Sequence, residues 1–406
     1  GPGAGKRGGE VIAQGTLAEI EANPNSLTGR YLREPLKHPM QARRPVQADA
    51  PMLTVHDASL HNLNKVQAGI PLGKLSLVTG VSGSGKSTFA RDVLLDNLQR
   101  VVGSKEKPVW QGCSNISGWE SLDRVLEVDQ TPIGKTPRSC PATYIGFWDE
   151  VRKLFANTND ARLRGWSASR FSFNTGDGRC PLCEGQGMRT LEMSFLPDVK
   201  VPCDACHGQR FNPETLAVTW RDVSAGQLLQ MDVDEAVEYF AAHPKILRPL
   251  QLMQSVGLGY LTLGQPSPTL SGGEAQRVKL VSELVKARLD EGLTRTGRAY
   301  KAPHTLYVLD EPSVGLSMAD VEKLIVVLHR LVDAGHTVLV IEHNLDLIAE
   351  ADWIVDLGPE GGSGGGRLVV QGTPDQVQAN RASHTGMALA QFLKEHGACM
   401  ADLKTD

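Results

Sequence analysis

Long apolar runs are missing from this sequence. No stretch approaches the roughly 18 consecutive apolar residues of a membrane-crossing helix, so no membrane partner is expected. Gly1 to Glu10 lacks the apolar core of a secretion signal, which gives the expectation of a cytoplasmic chain. Charge of one sign is not in excess either. Lys+Arg number 42 against 46 Asp+Glu, a net of −4, so any nucleic-acid contact must come from a local patch. Cysteine is sparse: seven residues are too few for a disulfide scaffold of this size. Disorder and rod-like architectures are excluded by composition, with 41% hydrophobic and 22% charged residues. The 406 residues suffice for two or three domains with a large core.

An internal repeat is present. Gly8-Gly9-Glu10-Val11-Ile12-Ala13-Gln14-Gly15-Thr16 resembles Gly365-Gly366-Arg367-Leu368-Val369-Val370-Gln371-Gly372-Thr373. Gly1-Pro2-Gly3 likewise precedes the first copy as Gly358-Pro359-Glu360 precedes the second, and each copy runs into a helix-like stretch, 17–23 and 374–380. The first copy therefore reads as the tail of a preceding, related domain. Residues 33–51, with Pro35, Pro39, Pro45 and Pro51 among basic residues, read as a linker.

Residues 74–79, 305–309 and 337–341 read as buried strands, 86–100 and 318–334 as helices. Strands alternating with helices predict an α/β domain with a mostly parallel sheet. Gly80-Val81-Ser82-Gly83-Ser84-Gly85-Lys86-Ser87 joins the first strand to the first helix and fits the phosphate-loop pattern. Gly80, Ser82, Gly83, Gly85 and Thr88 shape a loop whose backbone N–H groups face phosphate. Lys86 reaches the β- and γ-phosphates, and the Ser87 hydroxyl suits Mg²⁺. Asp310 and Glu311 end the 305–309 strand. Asp310 suits Mg²⁺, and Glu311 suits polarisation of an attacking water. His343, after strand 337–341, lies where parallel sheets bind ligands and is read as a γ-phosphate contact.

Leu270-Ser271-Gly272-Gly273-Glu274-Ala275-Gln276-Arg277 resembles the signature motif of ATP-binding-cassette (ABC) ATPases. Its signature residues are Ser271, Gly272, Gly273 and Glu274; Gln130 resembles the Q-loop glutamine, and 313–316 a D-loop. The long interval before the signature is similar to the UvrA family of bacterial nucleotide excision repair, on Phe171-Ser172-Phe173-Asn174, Gly178-Arg179-Cys180-Pro181-Leu182-Cys183 and the run from Phe195 to Gly208. The resemblance implies an α/β ABC-type P-loop ATPase core with an inserted zinc-binding signature domain. It implies ATP and Mg²⁺ as ligands, Glu311, His343 and Gln130 as catalytic residues, and damaged double-stranded DNA as partner. It further implies pairing with a missing first ABC half or a second copy, and a UvrB-like helicase reached through that missing half. The domains expected are a preceding domain's tail (1–32), the linker, the ATP-binding domain in two parts (52–145 and 271–395), the insertion (146–270) and a short tail (396–406). Ser313-Val314, Ser317 and the basic stretch 288–301 depart from the family pattern, so a self-resistance paralogue that strips DNA-bound drugs is the alternative; a transporter cassette and a nucleotide-free zinc module are weighed behind it.

Cys180-x2-Cys183 and Cys203-x2-Cys206 stand 19 residues apart, a spacing that suits one closed, structural Zn²⁺ site. Cys113, Cys140 and Cys399 stand alone and read as inert. The segment 188–202 between the pairs alternates like a hairpin. Arg170, Arg179, Arg189, Lys200 and Arg210 lie around the pairs, near Phe171, Phe173 and Phe195, and are read as a DNA phosphate-contact patch. No base-reading helix is apparent, which fits recognition of DNA shape and deformability.

Overall fold

A computed structural model describes residues 1, 5, 8–191, 199–291 and 303–397. It divides into two compact units. Val11–Asp129 joins the C-terminal part of the chain, and Gln130–Leu289 forms the other.

In the first unit a six-stranded sheet runs in the order Arg367–Gly372, Trp353–Gly358, Leu75–Gly80, Thr337–Ile341, Thr305–Asp310, Arg124–Val128. All neighbours pair in parallel except Trp353–Gly358 with Arg367–Gly372. The three strands read from the sequence are the central ones. Their residues are buried almost throughout, as continuous apolar runs in a parallel sheet require. A second, antiparallel sheet has Met52–Ala58 between Val66–Pro71 and Asn115–Ser117. The helical stretch after the phosphate loop, π-wound over Thr88–Leu95 and α-helical over Asp96–Val101, joins the two sheets into one core. Its Phe89, Val93, Leu94 and Leu98 belong to the same buried cluster as Leu53, Val55, Val78 and Leu339. Each such side chain contributes about 1.5–3 kcal/mol, so the core fixes where the sheet's carboxyl ends stand.

Residues 33–51, expected as a linker, are anchored. The backbone N–H of His38 donates to His396 O at 2.7 Å, and His38 is buried with Nδ1 2.6 Å from Glu350 Oε1 and Nε2 2.9 Å from Asp346 Oδ1. Arg44 pairs with Asp352 and Asp333. Sequence composition shows the prolines and the basic residues but not the distant carboxylates that fix them.

The repeat reaches further in structure than its sequence match. Thr16 and Thr373 both cap a helix through a reciprocal capping box, with Glu19 and Gln376. Ser26 and Ser383 then cap the next helix, accepting from the N–H of Gly29 and Gly386. Both glycines lie under the preceding helix: a Cβ would stand 2.1 Å from Ile20 O and 2.2 Å from Val377 O.

The second unit is wider than the expected 146–270 insertion. It takes in 130–145 and, as far as Leu289, the signature helix Gly272–Glu291. Hydrogen bonds explain the extension: Ala142 N–H to Leu263 O at 3.1 Å, Ser267 Oγ to Gly134 O at 2.8 Å, and Ser267 N–H to Ser139 O at 2.8 Å. Its core centres on Phe155, Phe171, Phe173 and Phe211, all fully buried. The expected hairpin is present as Met188–Leu191 paired antiparallel with Val199–Pro202; Phe195 lies outside the described residues, as do Cys399 and most of 288–301. Among the described residues no helix is long and apolar enough to cross a membrane.

Candidate nucleotide site and four-cysteine centre

The strand Leu75–Gly80 delivers the chain to Gly80, whose φ of 132° suits glycine. A Cβ there would lie 1.9 Å from Leu357 O, so the strand end and its neighbour close together only around a bare α-carbon. Gly83 and Gly85 also take positive φ, and Ser82 and Ser87 are exposed along the loop. Lys86 Nζ donates to the carbonyls of Gly80 at 3.1 Å and Val81 at 2.9 Å, which lays the ammonium across the loop. Burial pushes its pKa down, and the carboxylates of Glu311, Asp310 and Asp356 oppose the shift. Thr88 opens the helix, so all seven residues expected at the phosphates share one loop and first turn.

Asp310 ends its strand with Oδ2 accepting from Arg91 at 3.2 Å; Arg91 Nε also pairs with Glu127 at 2.9 Å. Glu311 sits at φ 42°, a strained conformation for a side-chain-bearing residue, held by its N–H donating to Ile341 O at 2.9 Å. This turn brings Glu311 Oε1 within 3.6 Å of His343 Nε2. Ser87 and Asp310 offer hydroxyl and carboxylate oxygens, the hard donors that Mg²⁺ takes.

Two residues not singled out from sequence organise this edge. Glu342, 2% exposed, accepts from Ser313 N–H at 2.9 Å with one oxygen, and from His343 and Asn344 N–H at 2.8 and 3.0 Å with the other. It joins the loop after Glu311 to the loop bearing His343. Its place at the end of a core strand was the available signal. Asp356 accepts from Thr79, Ser383 and Thr385, each at 2.7 Å, and fastens the strand beside the phosphate loop. A lone acid within Trp353-Ile354-Val355-Asp356-Leu357 was its signal.

The signature residues cap their helix. Ser271 N–H donates to Glu274 at 2.7 Å, Glu274 N–H returns to Ser271 Oγ at 3.3 Å, and Tyr260 OH holds Glu274. Gly272 and Gly273 form the first turn of a 20-residue helix, the end at which helix dipoles favour an anion. Gln130 lies against Gly272: a Cβ on that glycine would be 3.0 Å from Gln130 Oε1. Of the three residues expected to be catalytic, Glu311 and His343 are thus brought together in one unit, while Gln130 belongs to the other.

Cys180, Cys183, Cys203 and Cys206 are buried with sulfurs all within 4.8 Å of one another. Cys180–Cys203 and Cys183–Cys206 sulfurs stand 3.9 and 3.6 Å apart, too far for a disulfide at about 2.05 Å. Tetrahedral Zn²⁺ with bonds of about 2.3 Å spaces its sulfurs about 3.8 Å apart, so the four fit that ion. Cys140 is buried as well, and Cys113 half-buried.

The expected DNA patch does not form one surface. Arg210 is a correction: at 2% exposure, with Nη2 donating to Gly264 O at 2.7 Å, it is closed to phosphate. Phe171 and Phe173 are likewise core residues. Arg170 stacks on Trp166 and pairs with Glu214, and Arg179 donates to Asn174 O. Arg189 and Lys200 are exposed on the hairpin, but Thr190 faces Lys200 and Val201 faces Arg189, so the two project from opposite faces.

No family model matches the sequence. The chain is 53% identical over 393 residues to UvrABC system protein A of Thermus thermophilus, a match covering 97% of this chain and 40% of that protein. Identity to UvrABC system protein A of Bacillus subtilis is 50% over 406 residues, covering 99% of this chain and 40% of the relative. Among solved structures, UvrA2 from Deinococcus radiodurans matches with a TM-score of 0.84 and 43% identity, over 100% of this chain and 46% of that one. The chain spans less than half the length of these relatives.

Proposed function

The chain belongs to the UvrA family of ABC ATPases over the span it shares with these relatives, and from that premise we propose that it is the second ATPase half of a DNA-damage-recognition protein of nucleotide excision repair. One observation carries the reading. The Lys86 loop, Asp310–Glu311 and His343 all stand at the carboxyl ends of adjacent parallel strands, where open α/β sheets bind ligands.

Each residue has a task that its surroundings suit. The phosphate-loop N–H groups and Lys86 hold the triphosphate. Mg²⁺, held by Ser87 and Asp310, would offset charge on the phosphates. Glu311 orients the attacking water and takes its proton, and His343 contacts the γ-phosphate. Glu342 keeps the loops that bear Glu311 and His343 in register. The signature turn serves the nucleotide of a partner cassette, either the other half of a full-length protein or a second copy. Hydrolysis by the isolated chain is therefore weak and rises with protein concentration. Zn²⁺ at the four cysteines would close the two knuckles and support the hairpin, whose Lys200 face meets duplex DNA while Arg189 stands on the other face. A UvrB-like helicase is reached through the rest of the full-length protein.

Fluorescence anisotropy at about 0.15 M salt, where screening is physiological, tests the DNA reading. A duplex with one bulky adduct is compared with its unmodified twin, with and without ATP. Tighter binding of the adduct is the expected result. Absence of binding to both duplexes would remove DNA from the function of this chain and leave the ATPase alone.

A further inference from the structure

Arg210 stands in an uncommon place for an arginine. It follows the second cysteine pair, is 2% exposed, and has its backbone at φ 69°. A guanidinium taken out of water costs several kcal/mol unless its charge and its N–H groups are answered. Part of the answer is visible. Nη2 donates to Gly264 O at 2.7 Å, and the guanidinium lies 4.9 Å over the Phe173 ring. Its stem packs on Gly187 of the first knuckle, where a Cβ would come 3.1 Å from Arg210 Cγ. Nη1 is buried without a hydrogen-bond partner. Among the described residues Arg210 pairs with no carboxylate. Burial disfavours its charge, and the groups that oppose this are thiols: Cys140, outside the four-cysteine centre, then Cys183 and Cys206 within it.

Four thiolates around a divalent ion leave a net negative centre, and a buried centre of that kind needs a cation close by. We infer that Arg210 is the cationic partner of the metal–thiolate centre and, through Gly264, ties metal occupancy to the segment that leads into the signature helix. The inference rests on the zinc reading above. Its second half follows from the bonds around Gly264. That residue donates its own N–H to Leu229 O at 2.8 Å, and three residues later Ser267 clasps Gly134 at 2.8 and 2.9 Å. The chain then reaches Ser271, whose hydroxyl caps the signature helix. Arg210 also stitches the knuckles together, since its carbonyl accepts from Cys180 N–H at 2.8 Å. It is a positioning residue, because it is enclosed and acts through Gly264 and the knuckles.

The 406-residue chain is compared with its R210M and R210K forms by zinc competition against a chromogenic chelator, and by hydrogen exchange over 263–270 with and without zinc. R210M removes the charge and is expected to lose zinc affinity about 10–100-fold, the usual cost of losing an outer partner of a metal site. R210K keeps the charge but not the planar fork, so it holds zinc within a few-fold while 263–270 exchanges faster with metal bound. Stripping zinc from the unsubstituted chain speeds exchange of the same segment. An arginine that merely fills space would lose zinc equally in both variants, and that result overturns the inference. Unchanged zinc affinity in R210M overturns it too, as does exchange over 263–270 that ignores the metal. If R210M does not fold, R210K decides by exchange alone, and unchanged protection there sinks the idea. Elemental analysis showing no zinc in the purified chain overturns the zinc reading itself, and the inference with it.

Discussion

The two compact units differ in what their buried polar groups need. The unit that bears the phosphate loop buries Lys86 and four carboxylates, and each carboxylate is surrounded by donors from the chain itself. Glu342 takes three backbone N–H groups; Asp356 takes three hydroxyls; Glu350 takes two histidines and the N–H of Met40; Asp352 takes Arg44 and the N–H of Leu75. Partners distant in sequence meet at one side chain, so these acids serve as internal fasteners that need no ligand. The Gln130–Leu289 unit buries Asp232, Arg277 and Arg210, and it also gathers four buried thiols at one point; Arg210 Nη1 there has no hydrogen-bond partner. The four sulfurs are held together as thiolates only when a cation joins them. One unit is self-sufficient and the other is conditional, and the conditional one carries the signature.

Removing a metal ligand should break this contrast most visibly. C203S is expected to release zinc and unfold the Gln130–Leu289 unit. The binding energy of such structural sites is about 10–16 kcal/mol and is drawn on for folding. Calorimetry should show its transition lost or moved down by well over about 10 °C, with the nucleotide-binding unit's transition in place. One cooperative loss of both units would mean they are not independently stable. Next in size is E311Q. It should lower phosphate release about 10²–10⁴-fold, keep binding of a fluorescent ATP analogue, and leave the melting temperature within a degree or two. Loss of nucleotide binding in E311Q would move Glu311 from water activation to ligand holding.

The anchored segment 38–44 supplies a third test, because its fastener titrates. Burial disfavours charge on both His38 and Glu350. Their bonds outweigh it, raising His38 above its usual 6.5 and lowering Glu350 below its usual 4.5. Charged His38 therefore contributes stability that is complete below about 6.5 and is lost as pH rises through its raised value. Ionised Glu350 contributes above about 4.5 and is lost as pH falls through its lowered value. The melting temperature of this unit should fall by a few degrees from about pH 6 to about pH 9, as the loss of about 1.5–3 kcal/mol of charged hydrogen bonding implies. H38N should flatten that slope. A slope unchanged by H38N assigns it to other groups.

Legibility from sequence divides along another line, local chemistry against distant pairing, and runs through both units. The central strands, the phosphate loop, Asp310–Glu311 and the signature could be read because local chemistry dictates them: apolar runs, glycines at turns, acids at strand ends. The cysteine spacing was equally readable, because two knuckles and one ion constrain it strongly. Pairings across hundreds of residues were invisible. Nothing local announces that His38 meets Glu350, or that Thr385 meets Asp356. Arg210 was misplaced for a related reason. A basic residue among basic residues reads as surface, and only the fold shows that Gly264 and Phe173 enclose it.

The smallest expected effect separates exposed charge from buried charge in the cysteine unit. Lys200 is exposed and makes no ion pair among the described residues, whereas Arg189 on the opposite hairpin face lies 3.4 Å from Asp204. A lysine that meets one phosphate releases about one counterion, so K200A should weaken duplex binding a few-fold on damaged and undamaged DNA alike. It should also reduce the slope of log affinity against log salt by about one. R189A should change less, because its charge is already answered and a ribbon laid on DNA presents one face. R210K should leave the slope unchanged, since a guanidinium enclosed by Phe173 and Gly264 displaces no counterion. Equal losses in K200A and R189A would mean that DNA wraps both faces of the hairpin. A changed slope in R210K would mean that the enclosed arginine shapes the DNA surface from within.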